Sequence, residues 1–237
     1  MQQLPAQLPL GLSLRDEATF ANFYPGQNAE IVAELKNAVQ GTGERVIYIC
    51  GARSQGCSHL LQACCHEAHQ RQMRPVYLPL HELMLFSPEM LSGYESCDLV
   101  CIDDMQEAAG HAEWEEALFH LYNRTYDAGG RIIIAAQDLP KAINIHLPDL
   151  ESRLSWGIVY PLHPLTDDEK LSVLTMRANK RGMTLPDEVG KYMLTHCPRH
   201  LGKLFIALDA LDKASLAAQR RLTIPFVKEV LQTLNRG

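Results

Sequence analysis

Gly51-Ala52-Arg53-Ser54-Gln55-Gly56-Cys57-Ser58 is the stretch of the sequence that predicts the fold most directly. It follows a short apolar run at 46–50 and precedes a segment of helical periodicity at 58–73. Its spacing is that of a phosphate-binding P-loop whose lysine is missing. The glycines let backbone N–H groups turn toward phosphate oxygens, and the positive end of the following helix favours an anion. The stretch therefore predicts a strand, a nucleotide-binding loop and a helix.

Cys57 occupies the position of the P-loop lysine. A thiol with an ordinary pKa of about 8.5 is mostly neutral at pH 7 and supplies no fixed positive charge. Backbone amides can still hold a diphosphate, but stabilising a transferred γ-phosphate becomes harder. We therefore expect nucleotide binding with weak or no ATP hydrolysis by this chain alone. Whether Arg53 replaces the lysine stays open, and a glycine-rich turn without a ligand is the alternative for the loop taken by itself.

A second motif, the Walker B pattern, is an apolar strand that ends in two acids at 98–104. In this pattern the first acid, Asp103, holds Mg²⁺ together with Ser58, and the second acid, Asp104, orients the attacking water. The alternative is an ordinary strand followed by an acidic helix cap. Because both motifs occur in one chain at a spacing that leaves room for one strand and helix, we favour the nucleotide site.

Working outward from these motifs, strands and helices alternate as far as residue 163. This alternation predicts an α/β fold whose parallel sheet is covered by helices on both faces. The predicted strands are 46–50, 75–80, 99–102 and 131–136, and the predicted helices are 28–40, 58–73 and 114–126.

The pattern changes after residue 163, where only helices are predicted. Thr166 is the expected N-cap of the first of them, because three acidic residues follow it. The predicted domains are an extended segment at 1–16, a nucleotide-binding α/β domain at 17–163 and a helical lid at 164–237. The predicted lid helices are 167–181, 186–197, 200–218 and 225–234.

The composition is that of an ordinary globular protein, with 46% hydrophobic and 21% charged residues. A net charge of −6 argues against strong direct DNA binding, which needs a basic surface. No apolar run approaches the roughly 18 residues of a membrane span, and residues 1–14 lack the basic region of a signal peptide. We therefore expect a cytoplasmic protein without a membrane partner.

The motifs together resemble the AAA+ class and, within it, the proteins related to the bacterial replication initiator DnaA. The resemblance covers about residues 17–234 and implies an AAA+ P-loop sheet with an all-α lid. Further phrases at 123–124, 147–150 and 222–229 are similar to the Hda family of DnaA regulators. The DnaA-like phrases are Ser-His-Leu-Leu at 58–61, Ile-Asp-Asp-Met-Gln at 102–106 and Ser-Arg-Leu-Ser-Trp-Gly at 152–157.

The resemblance also implies roles for particular residues. Arg153 matches the arginine finger that acts on ATP held by a neighbouring DnaA subunit, with a surface salt bridge as the alternative. Arg199 matches the sensor 2 arginine, with a solvated residue at a helix start as the alternative. Gln137 stands in the sensor 1 region, where relatives carry Thr and Asp, and an amide cannot act as an acid. The implied nucleotide-binding residues are Gly51, Ala52, Arg53, Ser54, Gln55, Gly56, Cys57, Ser58, His59 and Arg199.

The N-terminal segment 6–12 resembles the sliding-clamp-binding motif of bacterial replication proteins. Gln7 would anchor the peptide by its amide, while Leu8, Leu10 and Leu12 are the apolar residues of the motif. Pro9 would lower the entropy cost of ordering the peptide. The alternative is a first strand that packs on the edge of the domain.

These features predict a negative regulator of replication initiation. The regulator would hold ADP or another nucleoside diphosphate, with Mg²⁺ at Ser58 and Asp103, bind the DNA-loaded polymerase sliding clamp, and stimulate hydrolysis of DnaA-bound ATP. We expect an activator of the DnaA ATPase rather than an enzyme in its own right. The alternatives are a free-standing P-loop ATPase of helicase-loader type and a scaffold whose loop binds nothing. Self-association stays open.

Overall fold

The computed structural model describes residues 14–234. The predicted clamp-binding residues Gln7, Leu8, Leu10 and Leu12 lie outside the described residues. The chain divides between His163 and Pro164 into two compact units. The first is an α/β unit that contains the P-loop and Arg153, and the second is a helical unit that contains Arg199.

The α/β unit is built on a parallel sheet with the strand order β2-β3-β4-β1-β5. The predicted α/β fold class and the first four strands are confirmed. The second strand ends at Pro79, because Leu80 already begins a helix. The strands are β1 (Val46–Cys50), β2 (Pro75–Pro79), β3 (Leu99–Asp103), β4 (Arg131–Ala136) and β5 (Ile158–Pro161).

Strand β5 was not predicted from the sequence. It is four residues long, pairs with β1 alone among the described strands, and is not fully buried at any position. An edge strand needs no continuous apolar run, and it tolerates Pro161 because one side of its backbone makes no sheet hydrogen bonds.

Helices cover the sheet as predicted, with small differences at their ends. Helix α2 begins at Cys57 and stops at Gln70, before Gln72 adopts a positive φ of 61°. Helix α5 was not predicted, since seven residues show no clear periodicity. The helices are α1 (Ala29–Gln40), α2 (Cys57–Gln70), α3 (Leu80–Leu83), α4 (Ala112–Asp127) and α5 (Pro148–Leu154).

The sheet is buried on both faces because alternate residues of each strand meet different helices. In β1, Ile47 and Ile49 share a cluster with Leu35 of α1 and with apolar residues of α2. Tyr48 faces the other side, where it packs in a cluster with Leu118 of α4. The carboxyl ends of the strands, which carry the candidate site, are therefore held by two separate cores.

The helical unit has its own apolar core, which includes Leu174, Leu204 and Leu208. The predicted cap of its first helix is confirmed, because Thr166 and Glu169 form a capping box. No helix in the part of the chain that the structure describes is long and apolar enough to cross a membrane. The helices are α6 (Asp167–Lys180), α7 (Asp187–His196), α8 (Leu201–Ala218) and α9 (Ile224–Leu234).

Candidate nucleotide-binding site and arginine finger

The P-loop candidate joins β1 to α2 at the carboxyl edge of the sheet. The Gly51 N–H donates to the carbonyl of Ala136 at 3.1 Å, which ties the start of the loop to the end of β4. Gly56 has a φ of +110°, and a Cβ there would lie 2.8 Å from the Phe23 ring. Glycine is therefore required at position 56 both for the backbone conformation and for the close approach of the ring.

The end of β3 brings Asp103 to the start of α2. Asp103 is 2% exposed, and its Oδ2 accepts a hydrogen bond from the Tyr77 hydroxyl at 2.6 Å. Its Oδ1 accepts from the Asp104 N–H at 3.0 Å, and the Ser58 hydroxyl is a further partner. The structure thus places the P-loop serine and the first Walker B acid in contact, although they lie far apart in the sequence.

The pKa of Asp103 is raised above its usual range. Burial is the main cause, because it disfavours the charged carboxylate. The hydrogen bonds from Tyr77 and Ser58 oppose the shift, since they favour the ionised form. A bound cation would therefore stabilise the ionised form of Asp103, which burial alone disfavours.

Asp104 follows in a left-handed conformation, with a φ of 56°. Its Oδ1 accepts from Gln106 Nε2 at 3.2 Å, and its Oδ2 lies 2.8 Å from His81 Nδ1. The Gln106 Oε1 in turn accepts from the Gln137 N–H at 3.1 Å. Both oxygens of the second Walker B acid are therefore engaged, and a chain of hydrogen bonds links it to the sensor 1 position.

Sequence reasoning assigned no role to Tyr77, His81 or Gln106. Gln106 belongs to the phrase that carries the DnaA resemblance, so its position was a signal that could have been used. Tyr77 and His81 lie in and just after β2, and only the pairing of β2 with β3 brings them to the acids.

Cys57, in place of the P-loop lysine, lies in the first turn of α2. Burial, followed by the neighbouring Asp103 carboxylate and Cys50, raises the pKa of the Cys57 thiol to about 12. The thiol is therefore neutral at pH 7, further from ionisation than the sequence alone suggested.

The other loop residues differ in exposure. Ala52, Arg53 and Ser54 are exposed, and Arg53 has no ion pair within the described residues. The Gln55 Oε1 is buried, without a hydrogen-bond donor in the described part of the chain, and lies 2.4 Å from where a Cβ on Gly51 would be. The Gln55 amide is thus folded back over the start of the loop.

His59 connects α2 to the segment that precedes α1. Its Nε2 lies 2.8 Å from the Thr19 carbonyl oxygen, and its ring centroid lies 5.6 Å from that of Phe23. His59 and Phe23 therefore fix this N-terminal segment beside the P-loop.

Arg153, the predicted finger, lies in α5 and is half-buried. Its guanidinium carbon lies 4.9 Å from the centroid of the Trp156 ring and 5.9 Å from that of Tyr122. None of the ion pairs in the described ranges includes Arg153. The structure therefore does not show the surface salt bridge that was the alternative for this residue.

Arg199, the predicted sensor 2 residue, precedes α8 in the helical unit. Its Nη1 lies 3.5 Å from Asp167 Oδ2, and its side chain is 70% exposed. An exposed pair of this kind contributes about 0–1 kcal/mol, so Arg199 can exchange this partner for another anion at little cost.

Comparison with known families follows the division of the chain. Residues 14–161 match the family model of the bacterial DnaA ATPase domain, which covers more than half of the chain. The chain belongs to the DnaA ATPase-domain family. Residues 167–231 match the family model of the Hda lid domain. The predicted resemblance to DnaA-related AAA+ proteins, and to Hda among them, is thereby confirmed.

Solved structures similar to this DnaA-family chain share its architecture. Domain III of the Thermotoga maritima replication initiation protein DnaA is 23% identical, with a TM-score of 0.81 over 93% of this chain and 98% of that chain. AMPPCP-bound DnaA from Aquifex aeolicus is 25% identical, with a TM-score of 0.72 over 85% and 67% of the two chains. The Thermotoga maritima RuvB branch migration motor is 14% identical, with a TM-score of 0.68 over 90% and 70%. The similarity to RuvB shows a shared fold alone.

Proposed function

We propose that this chain is a cytoplasmic negative regulator of replication initiation that acts on DnaA. It holds a nucleoside diphosphate, binds the DNA-loaded sliding clamp, and supplies Arg153 to ATP bound on DnaA. Hydrolysis of that ATP leaves the initiator in its inactive, ADP-bound form. The observation that carries this proposal is that the Arg153 guanidinium has no carboxylate partner among residues 14–234, in a chain whose P-loop lysine is replaced by the neutral Cys57.

The nucleotide is held by the P-loop backbone and the first turn of α2. The DnaA of Aquifex aeolicus, a structural relative, holds AMPPCP. Ser58 and Asp103 offer the hydroxyl and carboxylate oxygens that Mg²⁺ prefers, and their contact puts both donors at one place. Magnesium, when bound there, neutralises phosphate charge. ADP or another nucleoside diphosphate fits a loop whose lysine position is occupied by the neutral Cys57.

Hydrolysis by the chain itself is expected to be weak for three reasons. Cys57 is a neutral thiol where hydrolytic P-loops carry a cation. His81 and Gln106 already occupy one acceptor site on each Asp104 oxygen, so a water would share this carboxylate with them. Gln137 cannot donate a proton as an acid does. Phosphate release by the purified protein alone tests this point, and sustained turnover would favour the helicase-loader type of ATPase.

The arginine finger accounts for the activity on DnaA. A guanidinium is always charged and carries five N–H donors, which suits a phosphate in the transition state. In small GTPases a finger supplied in trans raises the rate by about 10³–10⁵. Arg153 has no acidic partner to give up in the described part of the chain, so its donors are available to such a phosphate.

Clamp binding rests on the sequence of the N-terminal segment. Gln7, Leu8, Leu10 and Leu12 form the motif that would bind the clamp, and an apolar pocket on the clamp would receive the leucines. The clamp then concentrates the regulator where replication has begun.

The test is the rate of hydrolysis of DnaA-bound ATP, measured with this protein, ADP and DNA-loaded clamp, each omitted in turn. We expect stimulation only in the full mixture. Arg153→Ala should abolish it while ADP binding survives, because Arg153 touches the partner's nucleotide rather than its own. Arg71→Ala is the matched control, since Arg71 is an exposed arginine just after α2 whose one ion pair among the described residues is with Glu67. Full stimulation by the Arg153→Ala variant would refute the finger.

A further inference from the structure

Arg153 rests on a cluster of aromatic rings, Tyr122, Tyr126 and Trp156. The rings of Tyr122 and Tyr126 are stacked, with centroids 6.4 Å apart and planes 8° apart. The centroids of Tyr126 and Trp156 lie 5.5 Å apart. The guanidinium of Arg153 lies over Trp156 and Tyr122, the two outer members of this row.

Arg45 holds the central ring of this row, Tyr126, in place. Its guanidinium carbon lies 4.0 Å from the centroid of Tyr126, and its Nη2 donates to the carbonyls of Tyr126 and Gly130, the latter at 3.1 Å. Tyr122 is 2% exposed and belongs to the core beneath α4. The aromatic support of Arg153 is therefore anchored to the sheet and to α4.

Trp156 is exposed, so burial in the core does not account for a large aromatic residue at this position. Its side chain is 59% exposed, which is unusual for a ring of this size. It follows Arg153 by three residues, just beyond the end of α5, a spacing that puts two side chains on one face. Its ring contacts the Arg153 guanidinium and the Tyr126 ring.

Contact through a ring face has a consequence for the N–H groups of Arg153. A carboxylate partner would take two of these donors in a bidentate pair, which an incoming phosphate would have to displace. A ring face attracts the positive charge through its quadrupole and leaves the in-plane donors free. The aromatic cluster can therefore restrict the side chain without occupying the groups that a phosphate binds.

We propose that Trp156 is the positioning residue of the arginine finger, holding the Arg153 guanidinium ready for a phosphate on the partner. This inference rests on the proposed function. Trp156 acts through Arg153, so its loss lowers the rate of hydrolysis within the assembled complex and leaves assembly nearly unchanged.

The experiment compares Trp156→Ala and Trp156→Phe with wild type in the hydrolysis of DnaA-bound ATP, at increasing concentrations of this protein. We expect Trp156→Ala to lower the maximal rate about two- to fivefold, while the half-saturating concentration changes less than about twofold. Phenylalanine restores a ring face, so Trp156→Phe should recover most of the rate. Leu139→Ala, which truncates another exposed apolar side chain of the same unit, is the control and should behave as wild type.

Each alternative result has a distinct meaning. A normal maximal rate for Trp156→Ala, with Arg153→Ala inactive, would overturn the inference and leave the proposed function intact. A change in the half-saturating concentration alone would also overturn it, because Trp156 would then bind the partner rather than position Arg153. Normal stimulation by Arg153→Ala would remove the proposed function and the inference together.

A second measurement needs no partner and remains informative if a Trp156 variant folds poorly. Trp156 is exposed whereas Trp114, the other tryptophan, is 6% exposed, so acrylamide quenches mainly Trp156. We expect Arg153→Ala to increase this quenching, because it uncovers one face of the indole. Unchanged quenching would contradict the contact on which the inference depends.

Discussion

Asp103 must be ionised to bind Mg²⁺ in the proposed site, but its burial in the folded protein disfavours the ionised form. Burial raises its pKa in the folded protein above the unfolded value of about 3.9. The ionised carboxylate therefore lowers stability as the pH rises through the folded pKa, and the protonated form costs nothing below the unfolded value. We predict that Asp103→Asn stabilises the nucleotide-free protein at neutral pH and has less effect near pH 4, as measured by urea unfolding.

Asp98, directly before β3, is a control whose pKa is shifted in the opposite direction. Hydrogen bonds from Arg74 hold its pKa below the usual range, so its contribution to stability is present above the unfolded pKa and lost as the pH falls through the folded one. Asp98→Asn should therefore destabilise the protein at neutral pH and have less effect in acid. If both variants lose stability at neutral pH, the hydrogen bonds to ionised Asp103 outweigh its burial.

The sequence indicated which residues to expect at the site but not what surrounds them. The spacing of the P-loop pointed to Ser58, and the apolar strand that ends in two acids pointed to Asp103; their roles stay predictions. The contact of Asp104 with His81 could not be predicted, because it depends on the pairing of β2 with β3. The raised pKa of Cys57 could not be predicted either, because it depends mainly on the burial of the thiol in the folded protein.

At the scale of elements, the loop before helix α5 is held in place by hydrogen bonds to the buried Glu115 of α4. The carboxylate is 1% exposed and accepts hydrogen bonds from the N–H groups of Gly110 at 2.7 Å, His146 at 3.0 Å and Leu147 at 2.7 Å. It thereby fixes the loop that leads into α5 and to Arg153. Its partners at 146 and 147 lie 31 and 32 residues away, so sequence patterns could not reveal these hydrogen bonds.

We predict that Glu115→Gln destabilises the protein by about 2–3 kcal/mol, because an amide group would face backbone donors that a carboxylate now satisfies. Chemical unfolding at neutral pH measures the change. Glu116→Gln is the matched control, since its side chain is 72% exposed and meets only His120 at 3.6 Å, so we expect a change below about 0.5 kcal/mol. Equal effects of the two substitutions would mean that the buried hydrogen bonds do not fix this loop.

Elements differed in how readily the sequence predicted them, and burial explains the difference. The central strands β1, β3 and β4 are buried on both faces, so their apolar runs stood out. Strand β5 at the edge and the short helix α5 have no such run, although α5 carries Arg153. The lid helices were predicted from periodicity and from the cap at Thr166.

At the scale of the whole molecule, the proposed function separates recruitment from chemistry. In this proposal the N-terminal motif with Gln7 recruits the protein to the clamp, and Arg153 promotes the reaction. A tether raises the effective concentration of a second contact without changing the contact itself. A defect in the tether should therefore be overcome by more protein, whereas a defect in the finger should not.

We predict that Gln7→Ala weakens clamp binding by about tenfold or more, because the anchoring amide is lost, and abolishes stimulation of DnaA-bound ATP hydrolysis at low protein concentration. At high concentration the Gln7→Ala protein should approach the wild-type maximal rate, whereas Arg153→Ala should stay inactive. Gln3→Ala is the matched control, since Gln3 precedes the motif. Should excess Gln7→Ala protein fail to restore the rate, the clamp does more than concentrate the regulator, and the separation of the two roles is wrong.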